Sequence, residues 1–266
     1  MERQEILKKC KTEEDRLLIS KVIDKVKMMQ SRNCIMQTDF LNLHEKMIIE
    51  KFLLEQKIAS FFFFGGNDHA ERTMLFLYPE KITEEIVKAQ ISNWLQIIRI
   101  GIPNYIEPYT HREYLGGIMK LGMKREKIGD ILVEQTGADI VVEAEVANFL
   151  KNSLQELTRF RKAKIEVLPV AELKEVAVHK EEVVIIVPSM RIDSIVAELA
   201  HVSRTKVIEW MNQERIFLNF EVCLNRSKIL KKGDIVTIRG KGRFEISDEL
   251  GSTKKDNIRV CVLKNC

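Results

Sequence analysis

Apolar residues in the first fifth of the chain recur at helical spacing. Between residues 13 and 56 they form two stripes, interrupted after Arg32 and Asn33. The stripes comprise Leu17, Leu18, Val22, Val26 and Met29, then Phe40, Leu43, Met47, Ile48, Phe52 and Leu53. Apolar positions three and four residues apart lie on one helix face. The pattern therefore predicts two helices, with Asp39 as a nearby cap for the second.

Two short apolar runs follow, at residues 61–64 and 74–78, on either side of a Gly-Gly-Asn-Asp turn. Strand-forming runs around a glycine-rich turn predict a hairpin over residues 61–78. The first run is four consecutive Phe, which indicates a strand buried on both faces rather than a base-stacking surface. The polar residues at the tip are expected to be exposed loop residues and not catalytic groups: His69, Glu71 and Arg72.

From Trp94 onward, short strand-like and helix-like segments alternate. Strands are predicted at 95–100, 130–133, 139–142 and 164–168, and helices at 111–121 and 144–154. The order β-α-β-β-α-β predicts a ferredoxin-like (RRM-like) middle domain over residues 93–170. The central strands lack the aromatic residues on which such modules stack bases. That absence argues against base recognition by this sheet.

The last third of the chain changes from period 3.6 to period 2. Apolar stripes at Ile192, Ile195, Val196 and Leu199, and at Val207, Ile208 and Met211, predict two short helices. Alternation at 216–218 and 235–238 predicts strands around a Lys-Gly-Asp turn. We expect a C-terminal domain at 183–246, a charged linker at 171–182, and a tail at 247–266 able to add an edge strand. With an N-terminal α/β region at 1–92, the expected class is α+β.

Composition places the chain among soluble globular proteins. It has 266 residues, of which 45% are hydrophobic and 31% charged. No apolar run approaches the length of a membrane span, and no signal-peptide pattern precedes the first predicted helix. Five Cys without a C-x-x-C pair favour reduced thiols over disulfides or a zinc site. We therefore expect a cytoplasmic protein without bound metal or cofactor.

Positive charge concentrates near the C-terminus. From Ser189 to Glu245 there are eleven Lys or Arg and seven Asp or Glu, an excess equal to the formal +4 of the whole chain. Arg204 and Lys206 fall in the first turn of a predicted helix, where the helix dipole disfavours cations. With Ser203, Thr205 and free backbone N–H groups, this helix end suits a phosphate. Charge alone leaves a solvated basic face equally open.

Several short motifs here resemble the alpha-L RNA-binding motif, the S-four domain of ribosomal proteins, pseudouridine synthases and tyrosyl-tRNA synthetases. They are residues 191–193, 203–205, Ile216 with Asn219, and 232–235. The resemblance implies RNA contacts by Arg191, Ser203, Arg204, Thr205, Lys206, Arg215, Asn219, Lys228, Lys231 and Lys232. Glu214 and Phe220 stand where the family usually has glycine, so both turns must form without glycine's freedom.

The segment from His111 to Asp130 holds five Lys or Arg against three Asp or Glu. One interpretation is a helix whose C-terminal cations complement its dipole. The other is a second RNA contact, and we adopt it as the prediction. Its residues are His111, Arg112, Lys124, Arg125 and Lys127.

Taken together, the chain resembles the YlmH family of bacterial RNA-binding proteins. The resemblance rests on Gly65-Gly66 with Ala70-Glu71-Arg72, the segment 111–130, and the S-four motif. It implies a ribosome-associated protein without enzymatic activity, whose S-four domain engages the large subunit near ribosomal RNA and a bound tRNA in rescue of stalled translation. We expect RNA and the large ribosomal subunit as partners, and a monomer.

Two other classes of function remain open. S-four domains also accompany RNA-modifying enzymes, but no convincing pseudouridine synthase Asp context occurs, and Gly116, Gly117 and Gly122 form no cofactor-binding G-x-G-x-x-G. The five His are scattered beyond motif spacing. A binding module is therefore favoured over a pseudouridine synthase or methyltransferase. A division-associated scaffold, the third class, requires an exposed apolar patch.

Overall fold

Two units make up the chain, residues 1–176 and 177–266. The computed structural model describes residues 3–8, 10, 12–174, 180–253 and 257–265. Each unit combines helices with an antiparallel sheet, so the predicted α+β class is confirmed. Among the residues described, no helix has the length and apolar character that a membrane span requires.

The first unit begins with helices around a small three-stranded sheet. Its elements are α1 (Arg3–Lys8), α2 (Glu13–Arg32), β1 (Met36–Gln37), α3 (Leu43–Glu55), β2 (Phe61–Phe64), β3 (Met74–Leu77) and α4 (Glu84–Ala89). Thr12 caps α2 by accepting the Asp15 N–H at 3.0 Å. Asn42 caps α3 and forms a capping box with Glu45. The predicted cap at Asp39 is wrong, because Asn42 lies directly before the helix.

The Phe run forms the centre of this region. Strand β2 pairs with β3 in antiparallel register, and the sheet order is β1-β3-β2. Phe61 and Phe63 pack on the cluster built by α2 and α3. Phe62 faces the other way and stacks on Phe76 at 5.2 Å between ring centroids. Because successive strand residues point to opposite faces, the four Phe side chains pack into two hydrophobic clusters, one on each face of the sheet. The predicted burial of this strand on both faces is confirmed.

A four-stranded sheet with two helices follows. Its elements are β4 (Leu95–Gly101), α5 (His111–Lys120), β5 (Ile128–Glu134), β6 (Gly137–Glu143), α6 (Ala144–Glu156) and β7 (Lys164–Pro169). The strand order β5-β6-β4-β7, fully antiparallel, is the β-α-β-β-α-β arrangement. Tyr114 of α5 and Leu150 of α6 are fully buried in the core beneath this sheet.

The opposite face of this sheet carries the Phe-rich hairpin. Val141 and Leu95 share one buried cluster with Phe40, Phe62 and Phe76. The predicted boundary between residues 92 and 93 therefore does not divide the unit, because an apolar core spans it. The N-terminal region and the middle domain together bury both faces of the Phe-rich sheet.

Arg72 fixes the hairpin against the start of β5. Its guanidinium donates to the carbonyl oxygens of Ile128 at 2.9 Å and Phe40 at 3.1 Å. Asp130 accepts the backbone N–H groups of Arg72 and Glu71. The expectation that Arg72 is an exposed loop residue is wrong, since its side chain satisfies carbonyls that the hairpin would otherwise bury.

The second unit packs two helices on one six-stranded sheet. Its elements are β8 (Lys180–Val187), α7 (Ile192–Ala200), α8 (Arg204–Asn212), β9 (Ile216–Leu218), β10 (Glu221–Val222), β11 (Ile235–Ile238), β12 (Gly242–Ser252) and β13 (Ile258–Asn265). The strand order is β10-β9-β11-β12-β13-β8. Both predicted apolar stripes, including Ile195 and Val207, face the core.

The predicted tail and linker contribute strands to this sheet. Strand β13 lies between β12 and β8, so the prediction of an edge strand after residue 247 is wrong. Val260 and Val262 of β13 are fully buried, as expected for a strand inside the sheet and not for one at its edge. Strand β8 begins at Lys180, inside the predicted linker. Linker residues 175–179 and tail residues 254–256 and 266 lie outside the described residues.

Two turns adopt left-handed backbone conformations without glycine. Glu214, between α8 and β9, has φ 54°, and Asn219 and Phe220, between β9 and β10, have φ 48° and 68°. Of these residues, Glu214 and Phe220 stand where the resemblance to the S-four motif predicts glycine. Left-handed backbone costs a residue with a Cβ about 1–2 kcal/mol. Both turns therefore form without glycine, at a cost in backbone strain.

Candidate nucleic-acid interface

An arginine network joins the beginnings of α7 and α8. Arg191 donates to both carboxylate oxygens of Asp193, at 3.0 and 2.8 Å. Asp193 also accepts the Ser194 N–H at 2.9 Å. The Ser194 hydroxyl in turn accepts a hydrogen bond from Arg204 at 2.8 Å. Arg191, directly before α7, and Arg204, the first residue of α8, are thus held around one serine and one carboxylate.

The two arginines of this network favour the ionised form of the Asp193 carboxyl group. The Arg191 guanidinium, together with the nearby Arg204 charge, holds the pKa of Asp193 below its ordinary value despite burial. Asp193 is 4% exposed, whereas the Arg191 side chain keeps 36% of its surface in solvent. The buried carboxylate therefore orients the partly exposed Arg191 guanidinium. Bidentate pairing of this kind fixes the guanidinium plane.

The start of α8 presents further polar groups. Ser203 caps the helix by accepting the Lys206 N–H at 3.2 Å, as predicted. Arg204, Thr205 and Lys206 are exposed. Lys206 also forms an ion pair with Glu209, one turn further on. Such a solvent-exposed pair contributes little to stability, so Lys206 can exchange Glu209 for a phosphate.

A basic loop lies alongside these helix starts. The Lys228 carbonyl accepts the Ile192 N–H at 2.9 Å, and Leu230 donates to the Met190 carbonyl at 2.8 Å. These bonds bring Lys228 to the same end of α7 as Arg191. Lys231 and Lys232 are exposed in the following turn, where Lys232 pairs with Asp248. The structure thus gathers Arg191, Arg204 and Lys228 around one helix end.

Asn219 does not belong to this exposed surface. Its side-chain amide donates to Asp234 at 2.9 Å, and its side-chain oxygen accepts the Ile235 N–H at 2.9 Å. Both ends of the amide are engaged in the turn, so the prediction of an RNA contact is corrected to a structural role. Arg215 instead lies over the Trp210 ring at 4.7 Å and donates to the Arg239 carbonyl.

The predicted second contact is not a single cationic surface. Lys127 is 24% exposed and binds the carboxylates of Asp39, Glu143 and Glu145 at 2.7–2.9 Å. Hydrogen bonds to these carboxylates raise its pKa in spite of burial. With three carboxylates around its ammonium group, Lys127 has a structural role. This corrects the prediction that it contacts RNA.

Arg125 is also engaged internally. It donates to the backbone carbonyls of Ile128 and Gly129, and burial lowers its pKa to about 10. Burial and the Arg125 charge also lower the pKa of His111, which favours its neutral form. Arg112 and Lys124 remain exposed, Lys124 with 77% of its side chain in solvent. Only these two of the five residues keep the predicted character of exposed cations.

A different basic surface of the middle domain was missed by sequence reasoning. Tyr105 is 75% exposed, and the Lys162 ammonium lies 5.6 Å from its ring centroid. Nearby, Tyr109 donates to the Arg159 carbonyl at 2.9 Å, which ties the Tyr105 loop to the segment after α6. The signal was present as four basic residues between positions 159 and 164. Only the folded structure shows that these basic residues lie close to Tyr105, which precedes them by some 50 residues in the sequence.

The comparisons with known proteins agree with this architecture. Residues 91–172 match the family model described as "Putative RNA-binding domain in YlmH". The chain is 31% identical over 249 residues to "Ribosome-associated protein quality control protein P2" of Bacillus subtilis (strain 168), covering 93% of this chain and 94% of that protein. The solved structure of "Cell division protein ylmH from Streptococcus pneumoniae" matches with a TM-score of 0.51 at 19% identity, over 63% of this chain and 98% of that one, a likeness of fold. On the extent and identity of the Bacillus match, the chain belongs to the YlmH family.

Proposed function

We propose that this protein binds RNA of the large ribosomal subunit, with the α7–α8 end of its second unit as the principal contact. The observation that carries the proposal is the network of Arg191, Asp193, Ser194 and Arg204. The ribosome association in the name of the Bacillus relative and the RNA-binding description of the matched family model support it.

The physical reason is preorganisation of positive charge. A buried carboxylate holds one guanidinium and a serine hydroxyl holds another, so little side-chain entropy is lost when phosphates bind. Phosphate oxygens accept two parallel N–H bonds from an arginine, a geometry that lysine does not reproduce. Lys206 and Lys228 add exposed charge beside the arginines. This arrangement suits a folded RNA backbone.

The finer proposal is a role in translation or in quality control of stalled ribosomes, with ribosomal RNA and tRNA as the ligands. We propose further that the protein acts in the cytoplasm as a monomer, by binding and not by catalysis. The S-four motif resemblance and the Bacillus relative's name support this assignment.

Sedimentation with ribosomal subunits tests the proposal. We expect the wild-type protein to travel with large subunits, and the Arg191→Ala, Arg204→Ala, Lys206→Ala triple variant to remain at the top of the gradient. In RNA titrations the slope of log affinity against log salt should fall by roughly one unit for each lost phosphate contact. Arg259→Ala, an exposed cation on β13, is the matched control. Co-sedimentation of the triple variant at wild-type levels would exclude this surface as the principal contact.

A further inference from the structure

In the second unit, three arginine guanidinium groups lie over aromatic rings. The Arg239 guanidinium is 4.9 Å from the Phe217 ring centroid, and that of Arg243 is 5.3 Å from Phe220. Arg215 covers Trp210 in the same way at 4.7 Å. Trp210 is a buried residue of α8, so we call only the other two pairs, Phe217 with Arg239 and Phe220 with Arg243, the arginine–aromatic strip. The phosphate surface at the starts of α7 and α8 uses none of them.

The strand register places Phe217 and Arg243 on the face of the sheet that the helices do not cover. Thr237 of β11 pairs with Phe217 on one side and Arg243 on the other, so these side chains share a face. The neighbouring residues Val236 and Phe244 point the opposite way, into the core beneath α7 and α8. Phe217 and Arg243 are half-buried, and Arg239 is exposed.

Local backbone geometry builds the rest of the strip. Arg239 donates its backbone N–H to the Arg215 carbonyl at 3.0 Å, and Arg215 returns a guanidinium bond to the Arg239 carbonyl at 3.1 Å. Phe220 occupies a left-handed position in the β9–β10 turn, with its ring next to Arg243. A bulky residue in this conformation is strained, yet the turn holds Phe220 where its ring meets an arginine.

The charge of this face suits a polyanion. Arg215, Arg239, Lys241 and Arg243 lie within or beside the strip, and Glu221 and Glu245 border it. A lysine would provide the same charge for phosphate alone. A guanidinium stacked on an aromatic ring offers in addition a flat surface that matches a nucleobase. Both components that single-stranded nucleic acid requires, planar groups and positive charge, are therefore present.

We propose that the arginine–aromatic strip stacks unpaired bases of the RNA that this protein binds. The inference rests on the proposed function and deepens it. The α7–α8 surface contacts the phosphate backbone, and the strip selects loops, bulges or ends whose bases are not hidden in a duplex. A base is inserted against Arg239 on Phe217 or against Arg243 on Phe220, and the neighbouring cations balance its phosphates.

Charge-conserving variants test stacking separately from charge. Arg239→Lys with Arg243→Lys keeps both cations and removes both guanidinium planes. We expect this variant to bind a short unstructured single-stranded RNA about tenfold to a hundredfold more weakly than wild type, since two stacks are lost and each contributes a factor of about five or more. Affinity for the blunt duplex made from the same strand should remain within about twofold. Phe217→Leu with Phe220→Leu should reproduce the selective loss, and thermal melting establishes that each variant is folded.

The controls separate failure of this inference from failure of the proposed function. If wild type binds both RNAs and the double Lys variant binds them equally well, the strip does not stack bases, while the proposed function stands. Equal losses for single strand and duplex would also overturn stacking. If wild type binds neither these RNAs nor ribosomes, the proposed function itself fails. Binding of polyglutamate at the strip, abolished by the double Lys change while RNA affinity is unchanged, would assign the strip to an acidic protein partner.

Discussion

The Lys127 ammonium lies 2.7 Å from Glu143 Oε2 at the end of β6, and the same group reaches Asp39 from the N-terminal region at 2.9 Å. One lysine therefore joins two parts of the first unit that sequence analysis had separated at residue 92. Glu145, at 2.7 Å, completes the group of three carboxylates. Of the three, only Glu143 is buried, so the cation stabilises the unit mainly by giving that buried carboxyl group a charged partner.

Lys127→Met should destabilise the first unit without weakening RNA binding. Removing the cation leaves the carboxyl groups of Asp39, Glu143 and Glu145 without their shared partner, and we expect a loss of about 1–3 kcal/mol in the free energy of unfolding. The measurement is urea denaturation together with RNA titration. Lys124→Met is the control, because 77% of that side chain is exposed. Weakened RNA binding by a fully stable Lys127→Met protein would restore Lys127 as a contact.

Glu143 should make the stability of the unit depend on pH near neutrality. Burial, reinforced by the neighbouring Asp39 carboxylate and opposed by Lys127, raises the pKa of Glu143 to about 8. Since the ordinary value is 4.5, folding takes up a proton between about pH 4.5 and 8. Stability from this group is full below that interval and is lost as the pH rises through it.

Glu143→Gln removes this proton uptake while preserving shape. Between pH 5 and pH 8, wild type should lose about 1–3 kcal/mol more stability than the variant. Denaturation midpoints measured across this range check the expectation. Parallel pH profiles for the two proteins would show that Glu143 is already ionised when the protein folds.

Sequence periodicity predicted most secondary structure because each element buries a clear apolar face, as the Ile195 and Val207 stripes do. Periodicity did not predict the position or burial of residues whose partners are distant in the sequence. The final strand was predicted at an edge because nothing local indicates that Val260 pairs with Ile185 across 75 residues. For the same reason, a loop arginine such as Arg72 gave no sign of the three carbonyls that it would bind.

The sequence predicts only part of the candidate site, because it shows where cations occur but not which groups the fold brings next to them. The resemblance to the S-four motif predicts Arg191, Ser203 and Arg204 as RNA contacts, and the structure brings these three residues to the starts of α7 and α8. It did not reveal that Asn219 would be used within its own turn, or that Arg239 and Arg243 would stack on Phe rings. Exposed cations and internally paired cations look alike in a sequence. Their difference lies in which carboxylates, carbonyls or rings the fold brings near them.

Glu214→Gly should stabilise the second unit. Glu214 has φ 54° in the turn before β9 and is exposed, so glycine relieves backbone strain without removing a buried group. After the greater entropy of unfolded glycine is subtracted, we expect a gain of about 0.5–1 kcal/mol. Glu214→Ala is the control, since it retains the Cβ and should give no such gain. Urea midpoints at constant m-value measure the effect, and a lower midpoint for the Gly variant would contradict it.

Tyr105 should provide an RNA contact of the middle domain in place of the one that the sequence predicts at His111, Arg112, Lys124, Arg125 and Lys127. Its ring is the most exposed of the large apolar side chains in the described part of the chain, and Lys162 lies over it with Arg161 exposed nearby. Tyr105→Ala should weaken binding to ribosomal RNA about fivefold or more, by loss of one base stack. Tyr105→Phe, which keeps the ring, should bind as wild type does. Because the side chain is exposed, neither change should lower the melting temperature. Equal affinities for the Ala and Phe variants would mean that the ring contacts no base, and the basic segment at 159–164 would then act through charge alone.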